Sequence, residues 1–514
     1  MSRRNTDVFL VDFYFLIENF FKMWYDVFDI FDWGDFMALS LSSRSMDMTK
    51  GPLFRKMLIF ILPLMATHLL QVFYNAADVM IVGLSSDPDA VGAVGSSGAY
   101  LNLIINIFIG FSIGTDVVVA RNIGAKNADG VSKAVHTSIC MSVIFGLLGS
   151  IVGIAAAYPI YIAMGYTDNL LVLSLRYSYI YLIGLPFASL TNFLSAIMRA
   201  KGDTKTPLYV MLTTGLLNVL LNLFFVLALK MTVEGVAIAT AVANAVSACI
   251  LLFFLLRDSG MCRVFFRKLR LSKNAFLEIC HIGFPSGIQN SFFSISNMLI
   301  QSSILQVNNA IAPIGAAYEP VIKGNAAVMS LENFSFAALN SVSQAASTFT
   351  SQNVGIKDFR RVKKVLSVAS LIAAALSLAV TAILIILRDP LLALYGVTNA
   401  DDILSQLAYD TAMKRIWWKW IPFFLIALMN TAAGVLRGLG RSMTSAAFSL
   451  VGTCVFRVVW IYTVFAFFGT LESIYLSYGF SWLITGTAFY ITVGVILKKK
   501  TREQAQNELL SIDD

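Results

Sequence analysis

Charged side chains are scarce in this chain: 13% of its residues are Asp, Glu, Lys or Arg, against 57% apolar. A soluble protein of 514 residues needs far more charge to cover its surface, so a soluble class is excluded and most of the outer surface faces lipid. Cysteine and histidine are sparse too. Cys140, Cys249, Cys262, Cys280 and Cys454 form no CxxC pair and no metal spacing, which argues against a disulfide framework or a zinc site. Three histidines, widely dispersed, build no metal cluster. Catalytic signatures are missing: there is no HExxH, no GxxxxGK[ST], no GxSxG, and no Asp-rich pair suited to Mg²⁺ and a pyrophosphate lipid. An enzyme is therefore not expected, no cofactor is implied, and without an ATP-binding signature any transport must draw on an ion gradient. The net charge of +8 is scattered in small groups between apolar runs, which does not fit a nucleic-acid partner. Arg3 and Arg4 are followed by an apolar stretch that acids interrupt, so no cleavable signal peptide is expected.

Repetition is what the chain has. "RNIGAKN" at Arg121–Asn127 returns as "QNVGIKD" at Gln352–Asp358, and "NFLSAIMRAKGDTKT" at Asn192–Thr206 returns as "NTAAGVLRGLGRSMT" at Asn430–Thr444. Internal duplication in a polytopic membrane chain points to a secondary transporter with a central site between its halves. Runs long enough to cross a bilayer fall near 56–84, 92–119, 132–157, 170–198, 207–229 and 233–256. A second set falls near 276–305, 321–350, 364–387, 405–436, 443–468 and 474–497. The expected fold is an all-α integral membrane protein of twelve transmembrane helices in two six-helix bundles. Six being even, the bundles form a parallel repeat about an axis along the membrane normal.

Loop charge sets the orientation. One series of loops carries Arg55 and Lys56, Arg121 and Lys126, Arg199 and Lys201, Arg263 to Lys273, Lys357 to Lys364, Arg437 and Lys498–Lys500, whereas the other holds Asp87, Asp89, Asp401 and Asp402. The positive-inside rule places both termini in the cytoplasm. The domain plan is an N-terminal extension at 1–47, interfacial or disordered, and a six-helix bundle at 48–256. A basic cytoplasmic linker at 257–275, a second bundle at 276–497 and a tail at 498–514 follow. The linker reads as an inside loop touching anionic lipid. Trp417, Trp418 and Trp420 read as an aromatic belt, with Lys414, Arg415 and Lys419 as interfacial anchors. Deleting residues 1–45 is expected to leave transport intact.

Ionisable groups within membrane runs are functional candidates by default. Asp78 leads: at 100° per residue, His68, Gln71, Asn75 and Asp78 share one narrow helix face. That stripe either lines a polar chamber or packs on another helix through hydrogen bonds. Asn218 and Asn222 stack at i, i+4, and the next run offers Thr240. Oxygens gathered around one carboxylate suit Na⁺, so a Na⁺ site at Asp78, Asn218, Asn222 and Thr240 is one reading; a poorly hydrated carboxylate carrying a proton is the other. Glu332 is a second buried acid, serving either a cationic substrate or a structural pair. Gln71, Asn75, Gln289, Asn290 and Asn297 are further cavity candidates. Asp116 and Glu278 lie near helix ends, where solvated or salt-bridged roles are expected.

These residues resemble the multidrug and toxic compound extrusion (MATE) family, in its bacterial DinF-like branch. The resemblance runs over about 48–500 and rests on "LPLMATHLLQVFYNAADVMIVG" at Leu62–Gly83 and "ARNIGAKN" at Ala120–Asn127. "AIMRAKGDTKTP" at Ala196–Pro207 and "TSQNVGIKD" at Thr350–Asp358 complete it. It implies a V-shaped body around a central cavity in the bacterial plasma membrane. It also implies export of small amphipathic organic compounds, often cationic, in exchange for H⁺ or Na⁺, by a chain expected to act as a monomer in lipid. Asp78 falls where the family has its first-span acid, and Asn218, Asn222 and Thr240 match the accompanying polar positions. Phe293 and Ile426 stand where the NorM-like branch has acids, which puts coupling in the N-terminal half. The rival is a lipid-linked saccharide flippase of related fold. That activity calls for several cations inside the cavity, whereas Lys414, Arg415, Lys419, Arg176 and Arg457 read as mostly interfacial.

Overall fold

The computed structural model describes residues 46–85, 87–312, 319–400 and 402–510. The expectations for residues 1–45 therefore lie outside the described residues, and all described secondary structure is helical. The first repeat comprises α1 (Leu53–Val82), α2 (Ala90–Gly124), α3 (Ala128–Ala163), α4 (Asp168–Ile183 and Leu185–Ala200), α5 (Lys205–Ala228) and α6 (Val233–Leu256). The second comprises α7 (Lys273–Ile311), α8 (Pro320–Gly355), α9 (Phe359–Ile386), α10 (Ile403–Trp420 and Phe423–Gly438), α11 (Ser442–Phe468) and α12 (Leu471–Leu510). Eight of these are long and apolar enough to cross a membrane. α4 and α10 join them as spans bent by 49° and 44°, each at a proline (Pro186, Pro422) that removes a backbone donor. α7 and α8 are as long but less apolar, because their Asn, Gln and Glu side chains face an internal chamber. Together these form the two six-helix bundles of an all-α, multi-pass membrane fold.

The repeat is visible in backbone detail. Lys126 and Lys357 both take left-handed conformations, at φ 54° and 58°. The next residues cap α3 and α9 alike: Asn127 accepts from the Gly130 amide, and Asp358 from that of Arg361. Gly202 and Gly440 end α4 and the second segment of α10 at φ 91° and 77°, where a side chain would be strained. α12 continues past the expected membrane end at residue 497 to Leu510.

The halves exchange helix ends. Met57, Phe60, Ile61 and Leu64 of α1 are buried in the apolar core of the second half. Ile279 and Ile282 of α7 are buried in that of the first. The 257–272 segment lies against α3, where His136 Nε2 accepts from the Phe265 amide at 3.0 Å and Thr137 Oγ1 from that of Ser272 at 3.0 Å. The end of the body that carries this segment is the linker end, and the opposite one the far end. Hydrogen bonds from α1, α2 and α4 to α8 lie toward the linker end. They include Gln352 Nε2 to the Ala200 carbonyl at 2.8 Å, Thr348 Oγ1 to Asp116 Oδ2 at 2.7 Å, and His68 Nδ1 with Ser341 Oγ at 2.9 Å.

Candidate functional site

Toward the far end of α1, Asp78 is 7% exposed and faces α5 and α6. Asn222 Nδ2 donates to Asp78 Oδ1 at 2.5 Å, and Thr240 Oγ1 reaches Asp78 Oδ2 at 3.4 Å. Asn218 closes the ring, donating to Thr240 Oγ1 at 3.2 Å and accepting from Asn222 Nδ2 at 3.3 Å. The i, i+4 spacing on α5 stacks the two amides against the carboxylate. The four residues expected to act together are thus brought together. Asn222 Oδ1 is buried without a hydrogen-bond partner, so the cage holds an unused oxygen beside a carboxylate. One carboxylate with amide and hydroxyl oxygens is a donor set for a small hard cation or a proton. Among the described residues no group of three or more His, Cys, Asp or Glu side chains is placed to hold a metal ion.

A separate chamber of about 490 Å³ lies among α2, α4, α7, α8, α10, α11 and α12. Gln289, Asn290, Asn297 and Glu332 line it, as do Phe293 and Ile426; Gln71 and Asn75 do not, and both are exposed. The expected α1 stripe therefore divides. Asp78 turns to α5, His68 bonds across to α8, and the two residues between them contribute to neither site. Gln289 donates to Ser449 Oγ at 2.8 Å, and Asn297 accepts from the Tyr478 hydroxyl at 3.4 Å.

Glu332 is held structurally. Arg415 donates to both its oxygens, at 3.0 and 2.6 Å, and Lys419 Nζ to Oε2 at 2.6 Å. Asn325 Oδ1 takes a further Arg415 donor and the Tyr475 hydroxyl. Lys419 and Arg457 sit over the Tyr478 ring at 4.0 and 4.3 Å, and Arg457 Nε donates to Ser481 Oγ at 3.0 Å. This corrects the interfacial reading of Arg415, Lys419 and Arg457, all buried chamber-lining residues; Lys414 and Arg176 are partly exposed and paired with Glu472 and Glu234. The aromatic belt likewise loses one of its three members: Trp417 and Trp418 are exposed, whereas Trp420 is buried in the core. Asp116 is not solvated near a helix end. It is buried against Thr348, with Arg199 as its charge partner and Oδ1 unpaired.

A signal for the buried bases was present in the sequence. Arg415 and Lys419 are i, i+4, so they share a helix face opposite Trp417 at 100° per residue. Reading them with their chain neighbours hid that face. The pairing of Arg415 with Glu332, 83 positions away, left no trace in one sequence.

Comparison with known proteins agrees with this architecture. "Probable multidrug resistance protein YoeA" of Bacillus subtilis (strain 168) is 25% identical over 328 residues, 62% of this chain and 68% of that protein. "Probable multidrug resistance protein YpnP" of the same organism is 22% identical over 455 residues, 87% of this chain and 96% of that one. Among solved structures, a MOP superfamily transporter from Pyrococcus furiosus, described as having a binding pocket of reversed polarity, superposes with a TM-score of 0.81. It is 20% identical, covers 90% of this chain and 99% of its own, and speaks for the fold alone. The MatE family model matches residues 63–224 and 285–463. With that match spanning both repeats, the chain belongs to the MatE family, the multidrug and toxic compound extrusion proteins.

Proposed function

We propose that this protein is a secondary active exporter of bacterial plasma membranes, moving amphipathic organic compounds outward in exchange for H⁺ or Na⁺. Both termini and the linker end face the cytoplasm in this reading, as loop charge favours. The observation that carries it is the separation of two polar sites in one duplicated body. One is a buried carboxylate cage within the first repeat; the other is a larger chamber among helices of both halves. Relatives named as multidrug resistance proteins support the same reading.

The mechanism is alternating access. A cation entering at Asp78 from outside favours the state that releases substrate outward, and substrate entering from the cytoplasm favours loss of that cation. Coupling requires that the two ligands prefer different states, since a ligand with equal affinity for both shifts nothing. Hydrogen bonds between the halves toward the linker end support a body closed to the cytoplasm here.

Asp78→Asn tests this. The variant is expected to insert normally and to lose gradient-driven efflux from proteoliposomes by at least tenfold. Separate pH and Na⁺ gradients identify the ion, and full efflux by the variant would count against the proposal. The flippase reading gains from the basic chamber, which supplies the cations it calls for; translocation of a lipid-linked pyrophosphate saccharide without an imposed gradient would favour it instead.

A further inference from the structure

The chamber's polarity narrows the cargo. Five cationic side chains line it (Arg199, Arg415, Lys419, Arg437 and Arg457) against the carboxylates of Asp116 and Glu332. Glu332 is already neutralised before any cationic guest arrives, because Arg415 and Lys419 together place three donors on its two oxygens. Asp116 accepts from Thr348 at Oδ2 and its charge is offset by that of Arg199, with Oδ1 left unpaired. Arg457 makes no ion pair among the described residues: Nε bonds Ser481 and the guanidinium lies on Tyr478, leaving its terminal nitrogens without a hydrogen bond. Arg437 donates to Ser343 Oγ while its buried Nε lacks a partner, and Arg199 Nε is likewise unpaired. Excess positive charge held away from water binds anions and excludes cations. The remaining wall is mixed: amide and hydroxyl groups share it with the apolar side chains of Phe293, Phe336, Phe423, Ile426 and Trp482. Its volume is that of a site for one small organic molecule.

We infer that the chamber binds an amphipathic organic anion, its carboxylate or phosphate held by Arg457 and Lys419 and its apolar body by the aromatic wall. This deepens the exporter reading and rests on it for direction of movement, but binding is measurable without transport.

The test uses purified full-length protein in detergent with two fluorescent probes, carboxyfluorescein and ethidium, followed by anisotropy. The wild type is expected to bind the anion at least tenfold more tightly than the cation. Arg457→Gln is expected to weaken anion binding at least fivefold, with Arg457→Lys restoring most of it. Glu332→Gln separates the alternatives, because it frees Arg415 and Lys419. Anion binding is expected to hold or tighten, whereas a cation site built on Glu332 would be lost. Should either variant fail to elute as a single species, competition on the wild type by cholate against tetraphenylphosphonium distinguishes anion from cation directly. Tighter ethidium binding, or displacement of carboxyfluorescein by tetraphenylphosphonium but not cholate, overturns the inference. In nanodiscs, displacement by phosphatidylglycerol assigns the anion to a lipid headgroup, and its absence to a free compound; both support the charge class. Asp78→Asn is expected to bind carboxyfluorescein normally. Loss of efflux with binding retained speaks for the coupling site, and binding without any gradient-driven movement in the wild type sinks the exporter reading alone.

Discussion

Asn222 is fully buried and gives Asp78 the shortest hydrogen bond in the cage, while its own carbonyl oxygen finds no partner. Removing that donor leaves a carboxylate short of a partner in a medium of low dielectric, an effect of about 1–3 kcal/mol. Asn222→Ala is therefore expected to lower the thermal unfolding midpoint of the solubilised protein, and to be nearly silent once Asp78 is Leu. Equal losses in both backgrounds would show the two residues to be energetically independent. This cage was readable in advance because its members announce themselves locally, as a lone acid in an apolar run and two amides one helical turn apart. Glu332 was readable only as a question. Its answer lay in Arg415 and Lys419 on another helix, 83 and 87 positions away. Breaking that buried group by removing one partner typically costs about 3–5 kcal/mol, so Arg415 is a poor first target for mutagenesis and Arg457, outside the ion pairs, a better one.

Between α6 and α7, the 257–272 segment is a docked element. Cys262 and Val264 are buried in the core of the first half, and the amides of Phe265 and Ser272 are fastened to α3. Composition alone read it as a basic loop on the lipid surface, because its many bases are evident in sequence while the two apolar anchors are few. Burial pushes the Cys262 thiol up to about 12. The sign follows directly: a raised value keeps the sulfur protonated and unreactive through pH 7 to 9. A polar maleimide is expected to leave Cys262 unmodified in the folded protein throughout that range and to label it after denaturation, when the ordinary value of about 8.5 returns. His136→Ala, which removes an anchor, is expected to speed labelling, as read by mass spectrometry of the modified peptide. Fast labelling of the folded wild type would show that the segment is not docked.

For the whole molecule, the seam between α2 and α7 sets how the halves can meet. A Cβ at Gly110 would fall on the Gly287 backbone, and one at Gly114 on the backbone near Ile279 and Gly283. Backbones this close leave no room for side chains. Gly110→Ala is expected to lower the unfolding midpoint, while Gly95→Ala, which meets nothing within 4 Å, leaves it unchanged or slightly raised. Similar effects at both positions would mean that the seam does not bear on stability. Two bundles of six were legible because hydropathy and duplication are long-range averages over many residues. The crossing of α1 and α7 into the opposite halves was not, since Phe60 and Ile279 look like any lipid-facing residue until their neighbours are known.

That crossing bears on how the protein is made. Helix α1 leaves the ribosome long before the residues that will cover Met57, Phe60 and Leu64 have been synthesised. Lipid must therefore shelter this surface in the interim. The amino-terminal bundle reaches its final packing only when α7 and α8 insert, so maturation is a joint event of both repeats and not the serial completion of two independent modules.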